Sequence, residues 1–234
     1  MLSLKTMAAV IALGGCCLAV ASFEAQARSY PTVVELFTSQ GCSSCPPANA
    51  NLIELSKDPN VLTLSFSVTY WDYLGWKDSF GRADYTQRQV TYEPSLHERG
   101  PFTPQMVING LASTVGYDLG DIRSNILKSG ALKGPVVGFN GNQISLPSAS
   151  GGTVPLDVWF VSFERKVLEV PVKRGENSGA TLPHASVVRN LVHLGVWDGK
   201  ATNVQLPATD PTLRTAILLQ QPNGGPIISA QSAE

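Results

Sequence analysis

The sequence predicts an α/β fold in the first half of the chain and a β-rich, antiparallel, sandwich-like fold in the second half. In the first half, β-branched runs at residues 32–38 and 61–69 flank a helical segment at residues 49–55. A helix between two strands is typical of a parallel pair with a crossover connection. The change of pattern divides the chain after its leader into domains at residues 28–134 and 135–234.

The rest of the first half adds a helix starting near Asp78 or Ser79, a strand at residues 105–108 and a helix at residues 121–128. Asn109-Gly110 is the strongest two-residue hairpin signal in the chain. The predicted order is therefore β-α-β-α-β-β-α. The second half contains short strand-like runs separated by turn residues, at residues 136–139, 143–146, 156–163, 166–172, 191–197, 215–220 and 226–229.

The first 27 residues are predicted to be a signal peptide. Lys5 supplies a positive charge, a short apolar run follows, and Ala25-Gln26-Ala27 has the small-x-small form of a cleavage site. Cleavage near Ala27 would place the mature chain in the periplasm or outside the cell. A competing interpretation is a lipoprotein signal that anchors the chain through Cys16, although the apolar run continues beyond that cysteine.

Charge and motif content argue against several functional classes. The chain has 17 basic and 18 acidic residues and a net charge of -1, so it has no electrostatic signature of nucleic-acid binding. No segment after the leader is apolar enough to cross a membrane, and no Ser-His-Asp set has a nucleophile-elbow pattern. We expect no cofactor and no nucleic-acid partner.

Cys42 and Cys45 are the only cysteines after the leader, and they form a C-x-x-C motif. A disulfide between residues three apart closes a tiny loop and adds little stability by chain entropy. A metal site would need more ligands, so His97, His184 or His193 would have to converge on the two cysteines. The position of the motif between a strand and a helix, inside a β-α-β unit, favours redox chemistry.

Thr103-Pro104 precedes a predicted strand and hairpin, and together with the C-x-x-C motif it makes residues 31–132 resemble the thioredoxin fold. That resemblance implies a cis-proline at Pro104 beside the cysteine pair. It also implies that Cys42, as the exposed cysteine, attacks a partner disulfide as a thiolate and that Cys45 resolves the mixed disulfide. Thr103 and Pro104 would then border the partner-binding groove.

Glu35, in the strand before the motif, has two interpretations. It is either the buried acid that aids proton transfer from Cys45 in thioredoxin-like proteins, or a strand-edge or salt-bridged residue. Two features depart from the thioredoxin pattern: Gly41 replaces the usual tryptophan, and Pro46-Pro47 follow Cys45 directly. Because a proline disfavours helical geometry in the preceding residue, we expect the helix to begin at Pro46 or Pro47.

A longer set of motifs is similar to a secreted bacterial family, domain of unknown function 1223. The set comprises residues 35–47, residues 70–78, Arg88-Gln89 and residues 174–177. The resemblance covers nearly all of the mature chain. It implies a thioredoxin-like first half and a β-rich second half, and it comes with no settled activity.

Two further segments have open interpretations. The aromatic side chains of Trp71, Tyr73 and Trp76 form either a recognition wall beside the cysteines or a self-packed loop that covers the end of a sheet. The polar stretches at residues 174–177 and 184–189 form a loop held by ion pairs of Arg174, Glu176 and Arg189, pair across the interface with the first domain, or line a site that faces Cys42.

The sequence thus favours an exported thiol-disulfide oxidoreductase that exchanges disulfides with a protein partner through Cys42 and Cys45. The alternative is a non-catalytic, thioredoxin-like binding protein that presents the aromatic segment or takes up copper or zinc through the same cysteines.

Overall fold

The computed structural model describes residues 30–149 and 155–233, so the predicted leader and Cys16 lie outside the described part of the chain. The described residues form a mixed α/β structure rich in strands. Its helices are α1 (Pro46–Leu55), α2 (Ala83–Leu96) and α3 (Leu119–Ser129), and a short 3-10 turn spans Asp72–Leu74. None of these helices is long and apolar enough to cross a membrane.

The strands are β1 (Thr32–Thr38), β2 (Val61–Ser67), β3 (Gln105–Ile108), β4 (Ala112–Thr114), β5 (Gly138–Asn140), β6 (Gln143–Leu146), β7 (Leu156–Glu164), β8 (Leu168–Pro171), β9 (Thr181–His184), β10 (Val188–Trp197), β11 (Thr202–Gln205), β12 (Leu213–Gln220) and β13 (Ile227–Ala233).

The first half is built on a four-stranded sheet in the order β2-β1-β3-β4. β1 and β2 are parallel and are joined through α1, whereas β3 runs antiparallel to both β1 and β4. Side chains alternate across β1: Val34 and Leu36 pack with α1 and α3, and Val33 and Phe37 face the core that includes α2. The predicted α/β order of the first half is confirmed.

The second half is antiparallel, as predicted. One sheet has the order β10-β7-β12-β13, and a three-stranded sheet has the order β11-β6-β5. Ile144 and Leu146 of β6 pack against Phe160, Ile217 and Leu219 of the larger sheet in one apolar cluster. Strands β8 and β9 form a separate two-stranded hairpin.

The two halves share a hydrophobic core. Phe37 and Tyr85 from the first half lie in the same buried cluster as Val161, Phe163 and Leu218 from the second. Main-chain hydrogen bonds also cross between the halves, from Ile227 N–H to Asn109 O (2.8 Å), from Gly134 N–H to Ile228 O (2.8 Å) and from Ser65 N–H to Ser186 O (2.9 Å). The position of each half is therefore set by the other.

A buried ion pair lies where the halves meet. The Arg88 guanidinium of α2 donates to Glu35 of β1 at 2.6 Å, and both side chains are almost fully shielded from solvent. Tyr92 also donates to Glu35, while Arg88 donates to Tyr92 Oη (3.1 Å) and to Gln220 Oε1 at the end of β12 (3.3 Å). Burial is the largest single influence on the pKa of Arg88 and would lower it, but the charge and hydrogen bond of Glu35, together with Tyr92 and Asp157, outweigh burial and raise that pKa.

The start of α2 differs from the prediction. The helix begins at Ala83, and Asp78 is instead a buried residue of the turn before it. Its carboxylate accepts hydrogen bonds from the N–H groups of Gln40 and Phe80, each at 2.8 Å. Because this carboxylate holds the turn next to the end of β1, helical geometry starts only after residue 82.

The predicted hairpin and third helix are present. Asn109 and Gly110 have φ values of 50° and 64°, the left-handed pair that a tight hairpin turn requires. A side chain at position 110 would also come within 2.7 Å of Gly225 O. α3 starts two residues earlier than predicted because Asp118 caps it, accepting from Gly120 and Asp121 N–H.

His184, in β9, is the one buried histidine among the described residues, and neither ring nitrogen has a hydrogen-bond partner there. Its ring packs edge-on against Phe80, with 5.8 Å between ring centres. Burial lowers the pKa of His184 from 6.5 to about 4, because the charged imidazolium cannot be solvated in this position.

We expect Arg88→Met to destabilise the fold by about 3–5 kcal/mol, because it leaves the Glu35 carboxylate buried without a counter-charge. The free energy of unfolding in urea measures the loss. The matched control is the double variant Glu35→Leu/Arg88→Met, which removes both charges and should regain much of the stability. A single variant within about 1 kcal/mol of the wild type would contradict this account of the pair.

The buried histidine predicts a loss of stability in acid. The folded-state pKa of His184 lies below the unfolded value, so the unfolded chain binds more protons as the pH falls from 6.5 towards 4, and stability declines over that window. The shift corresponds to at most about 3 kcal/mol. His184→Leu should remove this contribution in urea unfolding at pH 7, 5.5 and 4.5.

The control for that series is His97→Asn, which replaces an exposed histidine at a left-handed position and should retain the wild-type pH dependence. Burial raises the pKa of Asp78 to about 6, which acts in the opposite sense over part of the window. Asp78 is present in the wild type and in both variants. The difference in pH dependence of the free energy of unfolding between wild type and His184→Leu therefore reports on His184. Parallel curves for wild type and His184→Leu would refute the assignment.

Candidate functional site

Cys42 and Cys45 form a disulfide at the junction of β1 and α1, with 5.5 Å between their Cα atoms. We call residues 39–45 the cysteine loop. Hydrogen bonds from Cys42 N–H to Ser39 O and from Cys45 N–H to Cys42 O, both 3.2 Å, fold it into consecutive turns. The redox partners predicted from the motif are therefore adjacent and oxidised in this structure.

The helix after the motif begins at Pro46, as predicted. The expected bias of Cys45 away from helical geometry is wrong, because this residue has φ -79° and ψ -30° and is the N-cap of α1. Its carbonyl accepts a hydrogen bond from Asn49 N–H at 3.1 Å, and this bond stabilises the helical conformation despite the following proline. Pro46 and Pro47 have no N–H, so the first turn offers few main-chain donors near the sulfurs.

The expectation that Cys42 is exposed is also wrong. Both cysteines have 0% relative exposure, although Ser43 between them is exposed. The burial has three sources: the turn before β3, the aromatic segment at residues 70–76, and the connection between β8 and β9.

The Thr103-Pro104 peptide bond is cis, as the sequence pattern predicted, and it lies beside the cysteine pair. Thr103 O is 3.8 Å from Cys42 Sγ. The Thr103 hydroxyl accepts a hydrogen bond from Trp71 Nε1 at 2.7 Å. The cis-proline turn and the aromatic segment therefore form one wall of the site.

The aromatic segment packs on the cysteine loop through its tryptophans, and its role as a recognition wall stays a prediction. Trp76 Nε1 donates to Gln40 Oε1 at 2.9 Å, and Trp71 packs so closely on Gly41 that a Cβ there would lie 3.3 Å from Trp71 Cβ. Tyr73, in contrast, stacks on Trp71 with 6.4 Å between ring centres and is 78% exposed. Two tryptophans thus support the cysteine loop, and one tyrosine remains available for contact.

The second half of the chain also reaches the cysteine loop. Asn177 Nδ2 donates to Gln40 O (3.0 Å) and to Cys42 O (2.9 Å), and Ser43 N–H donates to Glu176 Oε2 (3.0 Å). The hydrogen bonds from Ser43 lower the pKa of Glu176, so this carboxylate stays ionised at neutral pH.

Of the three interpretations of the polar stretch at residues 174–177, the ones in which it pairs with the first domain and faces Cys42 describe the structure. The ion pair of Arg189 goes to Glu164 at 3.6 Å, and within the described residues neither Arg174 nor Glu176 forms one. Polar density at residues 174–177 was the only sequence signal for these contacts, and it left open whether these residues face Cys42, because Asn177 and Cys42 are 135 residues apart.

Glu35 is buried next to the same strand end, but its hydrogen bonds go to Arg88 and Tyr92. No hydrogen bond joins it to Cys45 in the part of the chain that the structure describes. The salt-bridged interpretation of Glu35 therefore describes its contacts.

The three histidines considered as metal ligands are dispersed. His97 ends α2, His184 packs on Phe80, and His193 pairs with Asp157 at 2.9 Å. Within residues 30–149 and 155–233, no three His, Cys, Asp or Glu side chains converge as a metal site would require. The geometry gives a copper or zinc centre no ligands beyond the two sulfurs.

Comparison with solved structures identifies two similar chains. The protein AGR_C_4864 from Agrobacterium tumefaciens is 32% identical, with a TM-score of 0.71 over 87% of this chain and 94% of that one. HBP35 of Porphyromonas gingivalis is 15% identical, with a TM-score of 0.58 over 88% of this chain and 75% of that one, which is a likeness of fold alone. No curated protein matches the sequence.

The family model described as protein of unknown function DUF1223 matches residues 33–220, which include the cysteine loop, the aromatic segment and the Asn177 contact. The match extends over both halves of the fold. The chain therefore belongs to the DUF1223 family.

Proposed function

We propose that this protein is a thiol-disulfide oxidoreductase that exchanges disulfides with a protein partner through Cys42 and Cys45. The observation that supports this function is the disulfide at a strand-to-helix junction beside the cis bond of Thr103-Pro104. A C-x-x-C pair in this setting is typical of proteins that form and release mixed disulfides.

We further propose that residues 31–132 form a thioredoxin-like domain. In support, its sheet has the order β2-β1-β3-β4, with β1 and β2 parallel and β3 and β4 antiparallel to their neighbours. Helices cover both faces of this sheet, and the C-x-x-C loop and the cis-proline turn lie together beside it. This arrangement brings Cys42 Sγ, the main-chain carbonyl of Thr103 and the side chain of Trp71 together at one site.

In the reducing direction, the Cys42 thiolate attacks one sulfur of the partner disulfide and displaces the other as a thiolate. The Cys45 thiolate then attacks Cys42 Sγ, which closes the intramolecular disulfide and releases the second partner thiolate. Two electrons pass to the partner, and solvent supplies the two protons that convert its thiolates to thiols. The oxidising direction is the exact reverse.

Among the described residues, Ser44 offers the sulfur of Cys42 a hydroxyl donor. Ser44 Oγ lies 3.3 Å from Cys42 Sγ and can donate to a thiolate. Because Pro46 and Pro47 supply no N–H, stabilisation by the first turn of α1 is weaker than in a helix with free amides. Weak thiolate stabilisation favours the disulfide over the dithiol and so suits a reductant more than a strong oxidant.

The partner surface of this proposal consists of Thr103, Pro104 and the stacked Trp71 and Tyr73. Trp71 is oriented by its hydrogen bond to Thr103, and Tyr73 presents an exposed ring next to it. Large aromatic side chains give contact area at low cost in conformational entropy. We also propose that the protein works after export, in an oxidising compartment where such exchange is needed.

A second candidate is a binding protein in which the disulfide is structural. The burial of both cysteines favours it, since a disulfide that no partner can reach does not exchange. In that case Tyr73 and the neighbouring surface would bind a partner without chemistry.

The reduction potential of the Cys42-Cys45 pair separates the two candidates. Equilibration of the mature protein in glutathione or dithiothreitol buffers, with alkylatable thiols counted by mass, should give a reversible value within roughly -120 to -270 mV, the range of known exchangers. Disulfide reduction of a model protein substrate should be lost in Cys42→Ser. The control is Ser56→Ala, which loses only a local hydrogen bond to Ile53 O at the far end of α1 and should retain the activity.

A pair that stays oxidised far below that range, or a Cys42→Ser protein with undiminished exchange activity, would contradict the oxidoreductase proposal. The first result would favour the binding protein. Partner capture that depends on Tyr73 and not on Cys42 would then support the second candidate.

A further inference from the structure

The connection between β8 and β9, at residues 173–179, forms one side of the enclosure around the cysteine pair, and we call it the hairpin tip. It approaches the cysteine loop so closely that a Cβ at Gly175 would lie 4.0 Å from Gly41 Cα. The tip, the aromatic segment and the cis-proline turn together leave both cysteines with 0% exposure. A partner sulfur cannot reach Cys42 Sγ in this arrangement.

The hairpin tip keeps its own shape. Its internal hydrogen bonds run from Gly179 N–H to Val172 O (2.8 Å), from Ser178 N–H to Gly175 O (3.1 Å) and from Ala180 N–H to Asn177 O (3.1 Å). Gly175 and Gly179 have φ values of 82° and 85°, which glycine adopts without strain. Since β8 and β9 pair only with each other, the tip can leave the cysteine loop without breaking either large sheet.

The contacts between the tip and the cysteine loop are few and polar. Asn177 provides two of them, to Gln40 O and Cys42 O, and Glu176 accepts the third from Ser43 N–H. Residues 173–179 contain no large apolar side chain, and their packing on the aromatic segment is limited to Gly175, where a Cβ would lie 3.5 Å from Trp76 Cβ. Water can replace each of these hydrogen bonds when the tip moves away.

The other two sides of the enclosure are less free to move. Trp71 is bonded to Thr103 and packs on Gly41, and Trp76 is bonded to Gln40. The cis-proline turn leads directly into β3, which is paired on both sides within the first sheet. Opening either side would disturb the core, whereas none of residues 173–179 is buried in it.

We propose that the hairpin tip is a lid over the Cys42-Cys45 pair, that Asn177 is its latch, and that lid opening determines which thiols reach the disulfide. The biological meaning of the lid rests on the proposed oxidoreductase function. Lid opening itself can be measured with a chemical reductant. Asn177 and Glu176 are specificity-determining residues in this scheme: they restrict access without touching either sulfur. Opening also frees the Ser43 N–H beside the reacting sulfur.

The test is the rate at which the disulfide is reduced in the full mature protein. Dithiothreitol serves as the small probe and a cysteine-containing peptide of about 15 residues as the large one, with thiols trapped by iodoacetamide and counted by mass. Asn177→Ala and the isosteric Asn177→Asp, which cannot donate to the two carbonyls, should each raise the rate with dithiothreitol by about tenfold. The increase should be larger with the peptide, because a larger reductant needs a wider opening.

Ser178→Ala is the matched control. It lies in the same tip and loses only a local hydrogen bond, from Ser178 Oγ to Lys173 O (3.1 Å), so its rates should equal those of the wild type. Urea unfolding of every variant checks that the fold is retained. If Asn177→Ala unfolds, Asn177→Asp and Glu176→Ala provide the same comparison.

Equal reduction rates for wild type and the folded latch variants would overturn the lid, as would an equal increase in Ser178→Ala. These outcomes are separate from failure of the proposed function. If the reduction potential lies outside the exchanger range but the latch variants are reduced faster, the lid is supported and the oxidoreductase function is rejected. If the potential lies inside that range but the latch variants are reduced at the wild-type rate, the function is supported and the lid is rejected.

Discussion

The buried pair of Glu35 and Arg88 is the interaction on which the arrangement of the two halves depends. Glu35 belongs to the central strand of the first sheet, Arg88 to the helix that covers it, and Gln220 to the larger sheet of the second half. A carboxylate in that position would be costly without its counter-charge. The network therefore positions α2 and β12 relative to β1, and β1 ends at the cysteine loop.

The cysteine loop in turn depends on residues that are distant in sequence. Its main-chain groups are satisfied by side chains from three later segments: Asp78 accepts from Gln40 N–H, Glu176 accepts from Ser43 N–H, and Asn177 donates to Gln40 O and Cys42 O. Buried main-chain polar groups need such partners. The contacts that satisfy the backbone of the cysteine loop thus also enclose the two cysteines. Because Glu176 and Asn177 belong to the second half of the chain, that half limits the access of a partner to the sulfurs.

Predictions made from local sequence were accurate where a local rule decides the structure. The turn at Asn109-Gly110 and the start of α1 at Pro46 are both present. The cis bond before Pro104, which the thioredoxin resemblance implied, is present as well. Two of the predictions that failed concern non-local contacts. The start of α2 was misplaced because Asp78 bonds back to Gln40, and Cys42, which the same resemblance implied to be exposed, is buried.

The sequence by itself determined the order of strands and helices, the strand-to-helix position of Cys42 and Cys45, and the family of the chain, because periodicity, turn residues and motifs act over short distances along the chain. Only the tertiary structure decided that Glu35 bonds to Arg88, that the halves share one core, and that Glu176 and Asn177 lie over the cysteine loop. The hydrogen bonds among these contacts join residues 53 to 137 positions apart. Their partners are selected by burial and by unsatisfied polar groups in the folded chain, which no local pattern encodes.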